Sequence, residues 1–353
     1  MPTLPSHFKC LLKRIEPSAN RVDDAKRYTA AVRDFLRDRQ KRLKVVDPHT
    51  RLAGSYARDT AILDIKDVDV LVFVDSEYKG AKPAGVLGTL AQVLNDYPDA
   101  AIEVDPQRRS VRLELKGRDF RLDIVPSVLD SDLDSPLFIP DRPQAEWIKS
   151  DPLGYGRTLT DLNKDNGGKV VPLVKLIKAW RDEQMKIRRP KSYTLEAMAV
   201  CAIRDKALEF EDKGYAEILH GLFAWVEDSY GELMDSGAGV PKVPDPQLKA
   251  NYVTKGWERS HFETFMRRAR EGLAASESAL DEKNEQEASK LWAKVFLNLW
   301  PSDAEAEALA RAEAIGQQLR SGPAVVTSKG HVAPAASGLT GVAVPPTSYH
   351  GEE

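Results

Sequence analysis

Apolar side chains recur with two different spacings along the chain, and each spacing predicts a different kind of element. From about Asp23 to Leu43, apolar positions fall three or four residues apart with charges between them, which predicts a long amphipathic helix. Residues 65–74 form a β-branched run whose second half is continuously apolar, which is typical of a central strand covered on both faces. A helix over Leu87 to Leu94 and a short strand over Ile102 to Val104 follow.

Strict alternation of apolar and polar residues predicts a pair of antiparallel strands further along the chain. Val111–Leu115 and Phe120–Val125 both alternate, and the turn between them contains Gly117. Residues from Asp130 to Asn166 are rich in Pro, Gly, Asp and Ser, which predicts a long connection between two lobes. Helical spacing resumes at Val170 and continues to about Leu319, so the second lobe is predicted to be all-helical.

These elements together predict an α+β protein with two lobes and a tail. We expect a mixed-sheet catalytic lobe over residues 1–165, including an N-terminal spine helix, and a helical lobe over residues 166–321. Residues 322–353 carry few charges and are dominated by Gly, Pro, Ala, Ser, Thr and Val. Because such a composition buries too little apolar surface to offset the entropy of ordering, this segment is predicted to be a flexible tail.

Composition and charge narrow the functional class. The 353-residue chain is 42% hydrophobic and 30% charged, and it has no apolar run of the roughly 20 residues that span a bilayer. Its N-terminus shows no secretory signal pattern, so we expect a cytoplasmic protein. A net charge of −3 argues against a protein built mainly to coat nucleic acid. Cys10 and Cys201 are far apart and predict neither a disulfide framework nor a zinc site.

Three aspartates are the strongest chemical signal in the sequence. Asp67 and Asp69 are two residues apart in a predicted strand, so their side chains project from one face of it. At an effective dielectric constant of ~20, two unit charges ~4 Å apart repel by about 4 kcal/mol, so the pair needs compensation. Arg or Lys partners are one source of compensation. Adding Asp123 from the predicted hairpin gives a cluster that suits Mg²⁺, which prefers carboxylate oxygens.

Each of these signals has a structural alternative. A carboxylate of the cluster can cap a turn or make an ordinary surface ion pair. Gly54-Ser55 lies upstream, where glycine lets a phosphate approach the backbone closely and serine offers a hydroxyl and an N–H. Alone, Gly-Ser is commonly only a turn followed by a helix N-cap. The order and spacing of the whole set favour a phosphate-gripping turn beside a metal site.

The ordered set of Gly54-Ser55, Asp67-Val68-Asp69-Val70 and Asp123 resembles the core of the DNA polymerase β-like nucleotidyltransferases. Leu176 to Trp180 and Lys191 to Glu196 resemble the helical lobe of the oligoadenylate synthase and cyclic GMP-AMP synthase (cGAS) branch, including the bacterial cGAS/DncV-like nucleotidyltransferases (CD-NTases). The resemblance covers roughly residues 20–315. It implies a bilobed polymerase β-like fold with Asp67, Asp69 and Asp123 as catalytic metal ligands.

The same resemblance implies nucleotide-binding roles for five residues. Gly54 and Ser55 would hold the triphosphate, Lys178 and Ser192 would contact it from the helical lobe, and Tyr193 would stack on the donor base. For Lys178 the alternative is a lysine that solvates its helix face, together with Lys175 and the other cations up to Lys191. Ser192 can be only the N-cap of the following helix, and Tyr193 can be only packing. Arg58 and Thr60 are secondary candidates, and Arg58 can pair with an acidic neighbour.

The function implied by the resemblance is synthesis of a cyclic di- or trinucleotide second messenger from ATP or other NTPs. Two Mg²⁺ ions, which Mn²⁺ can replace, would assist the reaction. Bacterial relatives typically act in antiphage systems through an effector that the product activates. No His/Cys zinc insertion is present, so activation by DNA is not implied, and no membrane partner is expected.

Alternatives from the same and other classes stay open at this point. A terminal nucleotide-adding enzyme acting on RNA and an enzyme that nucleotidylates protein use the same core. A non-catalytic nucleotide- or RNA-binding scaffold is the alternative outside catalysis. Regulatory proteins, or proteins that conjugate the C-terminal tail ending in Gly351-Glu352-Glu353, are possible partners encoded nearby, and an unconjugated tail is the alternative.

Overall fold

A computed structural model describes residues 2–38, 42–63, 67–98, 100–117, 119–321, 324–327, 332–334 and 341–344. The first half of the chain contains both helices and strands: α1 Pro5–Ile15, α2 Ala19–Asp38, β1 Val45–Ala53, α3 Gly54–Ala57, β2 Asp67–Val74, α4 Pro83–Asn95, β3 Ala100–Pro106, β4 Val111–Leu115, β5 Arg121–Leu129, β6 Leu137–Asp141 and β7 Glu146–Ser150. The second half begins with helices: α5 Pro152–Asp165, α6 Val170–Gln184, α7 Ser192–Arg204, α8 Tyr215–Asp235, α9 Arg259–Asp281, α10 Glu285–Phe296 and α11 Asp303–Ser321.

A seven-stranded mixed sheet organises the first half of the chain. Its strands run in the order β1-β2-β5-β4-β3, with β6 paired to β5 and β7 paired to β6. Strands β2 and β5 are parallel, whereas the other pairs of this sheet are antiparallel. The predicted antiparallel hairpin of β4 and β5 is confirmed, and so is the α+β class with a mixed sheet.

Strand β2 is covered on both faces, as its apolar second half predicts. Val68, Val70 and Val72 point into a core that the sheet shares with α2 and α4. Leu71 and Phe73 point the other way, into a smaller core. The two-residue period of a strand therefore puts Asp67 and Asp69 on the face of Leu71 and Phe73, at the N-terminal end of the strand.

The main hydrophobic core of the helical half includes helix α1 from the start of the chain. Phe8 is fully buried and makes edge contacts with the rings of Trp292, Phe296 and Trp300, with centroids 4.9, 6.2 and 5.1 Å away. Apolar residues at positions 8, 11, 12 and 15 give α1 the stripe that packs there. Helix α1 thus joins helices that follow it by almost 300 residues.

One local expectation from the sequence is wrong, and a second is right in kind but has different bounds. Residues 130–166 are not a long connection, because β6, β7 and α5 lie within them. Their Pro, Gly and Asp residues mark tight turns between short strands and the cap of α5, where the Asp151 carboxylate accepts a hydrogen bond from the Gly154 N–H at 2.7 Å. The helix expected from Asp23 to Leu43 begins at Ala19, and Leu43 lies beyond its end at Asp38.

Three short strands lie within the predicted tail: β8 Ala324–Thr327, β9 Val332–Pro334 and β10 Gly341–Val344. They form an antiparallel sheet in the order β10-β8-β9. The rest of residues 322–353 lies outside the described residues, so flexibility of the tail stays a prediction, as do the boundaries at 165 and 321. Within the described part of the chain, no helix is both long and apolar enough to cross a membrane.

Replacing Phe8 by Ala tests the contribution of α1 to the helical core. We expect Phe8→Ala to lower the free energy of unfolding by about 3–5 kcal/mol, since a fully buried aromatic side chain leaves a cavity among three other rings. Denaturant titration followed by tryptophan fluorescence measures the change. The control is Ile315→Ala on α11, a site that is 46% exposed, where we expect a change within about 0.5 kcal/mol. A loss below about 1 kcal/mol for Phe8→Ala would contradict this packing.

Candidate active site

Strand pairing brings the three predicted aspartates to one region of the sheet. In the parallel pair of β2 and β5, Asp69 is the register partner of Asp123, and Asp67 is the partner of Arg121. Register partners on neighbouring strands project from the same face. The side chains of Asp67, Asp69 and Asp123 therefore share one face of the sheet, as the sequence predicts for the first two.

Arginines compensate two of the three carboxylates. Arg121 donates to both oxygens of Asp67. Arg112, the register partner of Asp123 on β4, donates to it from Nε and Nη2 at 3.2 and 3.3 Å. The alternative that carboxylates of the cluster make ordinary ion pairs is thus realised for Asp67 and Asp123 in this conformation.

Asp69 lies directly against the backbone of Gly54. Strands β1 and β2 pair Ala53 with Asp69, so the residue after Ala53 faces the Asp69 side chain. A Cβ added to Gly54 would overlap Asp69 Oδ2 and lie 2.8 Å from its Cγ. Gly54 also has φ +68°, a conformation that glycine adopts at little cost. Both the backbone angle and the close approach of the carboxylate require glycine at position 54.

Burial and neighbouring carboxylates make the ionised form of Asp69 unfavourable. Desolvation is the largest cause that raises the pKa of Asp69 to about 6, followed by the charge of Asp123 and a smaller contribution from Asp67. The positive charge of Arg58 acts in the opposite direction. Asp69 is therefore the one carboxylate of the three whose charge lacks full compensation from the protein, which is the condition that a bound cation relieves.

The donor chemistry of this face fits a divalent cation, but the three carboxylates are not gathered into a ligand set. Among the residues that the structure describes, no three acidic, histidine or cysteine side chains are placed to hold a metal ion together. In this conformation Asp123 pairs with Arg112 and Asp67 pairs with Arg121 instead. The assignment of all three aspartates as metal ligands stays a prediction.

The turn after β1 is anchored by Thr60. Gly54–Ala57 form the short helix α3, and the N-cap position is Ala53, so Ser55 is not an N-cap. The Thr60 N–H donates to the Ser55 carbonyl oxygen at 2.9 Å, which closes the turn. This contact fixes the position of Ser55, the predicted phosphate-binding hydroxyl, relative to the fully buried Thr60.

Glu196 on α7 connects this turn to the helical lobe, and sequence reasoning gave it no role. Its carboxylate is fully buried and accepts from Arg58, from the Thr60 hydroxyl at 3.0 Å and from Lys178 at 3.4 Å. Arg58 donates twice, from Nη2 at 2.8 Å and from Nε at 3.1 Å. The alternative that Arg58 pairs with an acidic residue is observed, and the partner is 138 positions away in the sequence.

Lys178 does not lie on a solvated face. It is 3% exposed and donates to the Thr60 carbonyl oxygen as well as to Glu196. Desolvation is the main cause that lowers the pKa of Lys178. Lys175 is equally buried and pairs with Glu16 at 2.8 Å and with Asp59 at 3.2 Å. The solvated-face alternative is therefore wrong for both lysines, and the triphosphate contact of Lys178 stays a prediction.

Ser192 and Tyr193 are the first two residues of helix α7, the helix that also carries Glu196. Ser192 is the first helical residue and not the N-cap, and its hydroxyl accepts a hydrogen bond from Arg181 at 3.0 Å. Tyr193 packs edge-on against Tyr155 with ring centroids 5.0 Å apart, and the Arg58 guanidinium lies 6.0 Å from its ring centroid. Packing of Tyr193 is thus observed, and stacking on a base stays a prediction.

Three residues near the aspartates and the turn were not predicted, and they differ in whether the sequence contains a signal for them. The alternation of β4 puts Arg112 on the polar face opposite Asp123, so that ion pair follows from the predicted hairpin. The pair of Arg121 with Asp67 depends on the parallel pairing of β2 with β5, which the sequence did not predict. Glu196 sits in a helix whose apolar residues on either side predict burial, but nothing local identifies its partners Arg58 and Thr60. Only the tertiary arrangement of the two lobes reveals that contact.

Comparison with known proteins gives independent information about the chain as a whole. A sequence profile described as the Second Messenger Oligonucleotide or Dinucleotide Synthetase domain matches residues 2–163. A curated cyclic AMP-AMP-AMP synthase of an Acinetobacter species is 31% identical over 330 residues, which are 90% of this chain and 92% of the relative. A cyclic AMP-AMP-AMP synthase of Escherichia coli is 27% identical over 277 residues, covering 69% and 80% of the two chains.

Solved structures share the fold. The structure of Escherichia coli CdnC with ATP has a TM-score of 0.68 at 20% identity, covering 84% of this chain and 98% of the other. Vibrio cholerae DncV, described as a cyclic AMP-GMP synthase and prokaryotic cGAS homologue, has a TM-score of 0.53 at 16% identity, covering 72% and 70%. Both structures have the architecture described above.

The contact of Gly54 with Asp69 predicts a sharp loss of activity from a single methyl group. We expect Gly54→Ala to reduce nucleotide turnover by at least about 100-fold, because the Cβ displaces the Asp69 carboxylate and an error of about 1 Å in a catalytic group has this effect. Turnover is measured as pyrophosphate release. The matched control is Gly237→Ala at φ +71° with no atom within 4 Å of the new Cβ. It shares the backbone strain, so unchanged turnover is expected there, and equal losses in both variants would refute the argument.

The raised pKa of Asp69 predicts that removing its charge stabilises the protein while destroying its activity. A carboxyl group whose folded-state pKa lies above its unfolded value contributes stability below about pH 4 and loses it as the pH rises through about 6. In metal-free buffer at about pH 8 we expect Asp69→Asn to raise the free energy of unfolding by about 1–3 kcal/mol. The gain should vanish near pH 4.

Thermal and denaturant unfolding across this pH range provide the measurement, and turnover should fall by at least about 100-fold. The control is Asp141→Asn. Burial raises the pKa of Asp141, but hydrogen bonds from Arg108 and Arg109 outweigh it, so its pKa is lowered. That variant should lose stability at about pH 8. A destabilised Asp69→Asn would show that the carboxylate is compensated in the folded protein.

Proposed function

Because this chain belongs to the bacterial cGAS/DncV-like nucleotidyltransferases, we propose that it joins nucleotides at the sheet face that carries Asp67, Asp69 and Asp123. The chain is a nucleotidyltransferase, and it synthesises a cyclic oligonucleotide from nucleoside triphosphates. The family is established by the relative that is 31% identical over 90% of the chain. The location of the active site is our proposal, and the in-register pairing of Asp69 with Asp123 carries it.

In each transfer a ribose hydroxyl attacks the α-phosphate of a nucleoside triphosphate, and pyrophosphate leaves. Asp67, Asp69 and Asp123 are the residues that would hold Mg²⁺, or Mn²⁺ in its place. When bound, such ions neutralise charge that develops on the phosphate and favour ionisation of the attacking hydroxyl. The carboxylates themselves fix where this happens, because their strands are parallel neighbours in the rigid centre of the sheet.

Arg112 and Arg121 compete with metal ions for the aspartates of this site. In the present conformation their guanidinium groups occupy the carboxylates of Asp123 and Asp67. Those carboxylates must exchange an arginine for a cation before three ligands converge. We infer that a metal-bound triphosphate favours this exchange more than a free ion does, since the phosphate oxygens complete the coordination and give the released arginines a new anionic partner.

The nucleotide itself is proposed to lie between the turn after β1 and the start of α7. Gly54 and Ser55 come from the catalytic lobe, and Ser192 and Tyr193 come from the helical lobe. Contacts through Arg58, Thr60 and Glu196 link these two segments. Lys178 is buried and hydrogen-bonded to Thr60 and Glu196, so it would contribute positive charge without touching the nucleotide. A direct contact with phosphate would require Lys178 to leave both partners.

We propose ATP as the substrate and a cyclic trinucleotide of three AMP units as the product. The two relatives described above are both cyclic AMP-AMP-AMP synthases. A cyclic AMP-AMP-GMP synthase of Enterobacter hormaechei is only 21% identical over 84% of the chain. Incorporation of GMP is therefore the second choice, and it would use the same three carboxylates.

The biological setting is also inferred. We propose that the product is a second messenger in bacterial antiphage signalling and that the enzyme works in the cytoplasm, where nucleoside triphosphates and Mg²⁺ are abundant. A related solved structure is a complex of Escherichia coli CdnC with a HORMA protein, at 18% identity to this chain. A regulatory protein that binds this chain is accordingly part of the proposal, whereas conjugation of the tail has no support beyond the resemblance.

Mass spectrometry of reaction products tests the proposed function. Purified protein is incubated with Mg²⁺ and with ATP alone, GTP alone, or all four NTPs, and each mixture is then treated with phosphatase. We expect a phosphatase-resistant product from ATP alone with the mass of three cyclised AMP units. Asp69→Asn is the matched control and should give none, because it removes one of the proposed metal ligands while keeping its shape.

Other products would change the conclusion in defined ways. A product that forms only when GTP accompanies ATP would replace the all-adenine ring by a mixed one. Extension of an added RNA primer, or labelling of a protein by radioactive ATP without a cyclic product, would contradict cyclisation. Equal product from wild type and Asp69→Asn would show that the reaction occurs elsewhere.

A further inference from the structure

We propose that Glu196 is a positioning residue that fixes the turn Gly54–Thr60 against helices α6 and α7. The inference rests on the proposed function, since it concerns how the two lobes align around the nucleotide. It assigns to a buried carboxylate, which is not one of the proposed metal ligands, control over the rate of the reaction through Thr60 and Arg58.

The two oxygens of Glu196 have different partners. Oε2 accepts both hydrogen bonds from Arg58, at 2.8 and 3.1 Å. Oε1 accepts from the Thr60 hydroxyl at 3.0 Å and from Lys178 at 3.4 Å. Arg58 and Thr60 belong to the catalytic lobe, whereas Lys178 belongs to the helical lobe. A single fully buried side chain therefore joins the two lobes and leaves neither oxygen without a donor.

On the catalytic side, these contacts lead to Ser55. Thr60 makes two contacts at once. Its hydroxyl donates to Glu196, and its N–H donates to the Ser55 carbonyl oxygen at 2.9 Å. Lys178 donates to the carbonyl of the same threonine. Thr60 thus has its N–H, carbonyl and hydroxyl all engaged, and its position determines where the turn that contains Ser55 is held.

On the helical side, the contacts lead to the start of α7. Ser192 precedes Glu196 by four positions in one helix, so the two residues share a helix face. Arg58 also lies over the ring of Tyr155, with its guanidinium 4.9 Å from the centroid, and Tyr155 packs against Tyr193. The two segments proposed to bind the nucleotide, one from each lobe, are therefore both connected to the Glu196 carboxylate.

Charge explains why a carboxylate is used at this junction. Arg58 and Lys178 are both nearly inaccessible, with side chains that are 9% and 4% exposed. Two buried cations repel, and Glu196 lies between them as the shared anion. Burying ions is a poor way to gain stability compared with apolar packing, whereas it specifies one arrangement of partners. The network retains a positive charge near Asp69, because Arg58 acts electrostatically on that carboxyl.

The test compares Glu196→Gln with a matched buried carboxylate that lies outside the junction. Asp141→Asn is the control, because Asp141 is also fully buried and also accepts from two cationic side chains, both in its own lobe. The steady-state rate of product formation from ATP is measured per folded molecule at saturating ATP and Mg²⁺. We expect Glu196→Gln to lower kcat at least about 10-fold and Asp141→Asn to leave it within about 3-fold of wild type.

A second variant keeps the test decisive if Glu196→Gln folds poorly. Thr60→Val removes the hydroxyl that donates to Glu196 and keeps side-chain volume and every charge. We expect its kcat to fall about 3- to 10-fold with the fold intact by circular dichroism. Where both single variants fold, the double variant should lose less than the product of the two single losses, because both interrupt the same link.

The outcomes separate this inference from the proposed function. A wild-type chain that makes no cyclic product contradicts the proposed function. An active wild-type chain with unchanged kcat in both Glu196→Gln and Thr60→Val overturns the positioning role and leaves the proposed function standing. Equal loss of kcat in Asp141→Asn would show that general softening of the protein explains the effect, which also overturns the role.

Discussion

Parallel pairing of β2 with β5 is the constraint on which the active site depends. It places Asp69 directly beside Asp123 and brings two negative charges together in the middle of a seven-stranded sheet. Apolar side chains on the opposite face hold the strands there, because Val68, Val70, Leu122 and Ile124 are all buried in one core. Hydrophobic burial therefore holds in place an electrostatic arrangement that is unfavourable by itself.

The three aspartates differ in how far neighbouring groups compensate their negative charge. Asp67 and Asp123 each have an arginine, whereas Asp69 has the Gly54 backbone on one side and only the more distant charge of Arg58. An enzyme that must bind a polyanion with cations gains from this imbalance. The ligand-free protein keeps one carboxylate poorly compensated, so binding of a cation there removes a repulsion that the fold maintains.

Short-range patterns in the sequence predicted that Asp67 and Asp69 share one face of a strand, and the contacts between the lobes could not be read from such patterns. Asp67, Asp69 and Asp123 follow from alternation in one strand and one hairpin, where neighbours in sequence decide which way a side chain points. Lys178 appeared to lie off the apolar stripe of its helix, yet the catalytic lobe covers that face and makes it interior. Glu196 and Arg58 are 138 positions apart, and no local rule pairs them. The connection predicted at 130–166 failed because Pro and Gly mark tight turns as readily as open loops.

Helix α1 has a consequence for the order in which the chain is built. Its aromatic partners on α10 and after it follow much later in the chain, so during translation Phe8 emerges long before Trp292 and Trp300 exist. The sheet lobe, whose pairings all lie between residues 45 and 150, has its complete set of strands well before the helical core can close. Because domains fold as units while the ribosome advances, the nascent enzyme should pass through a stage with an ordered sheet and an exposed apolar first helix. The helical core that positions α7 would close only after α10 has been made, so the two segments proposed to hold the nucleotide would be fixed relative to each other late in translation.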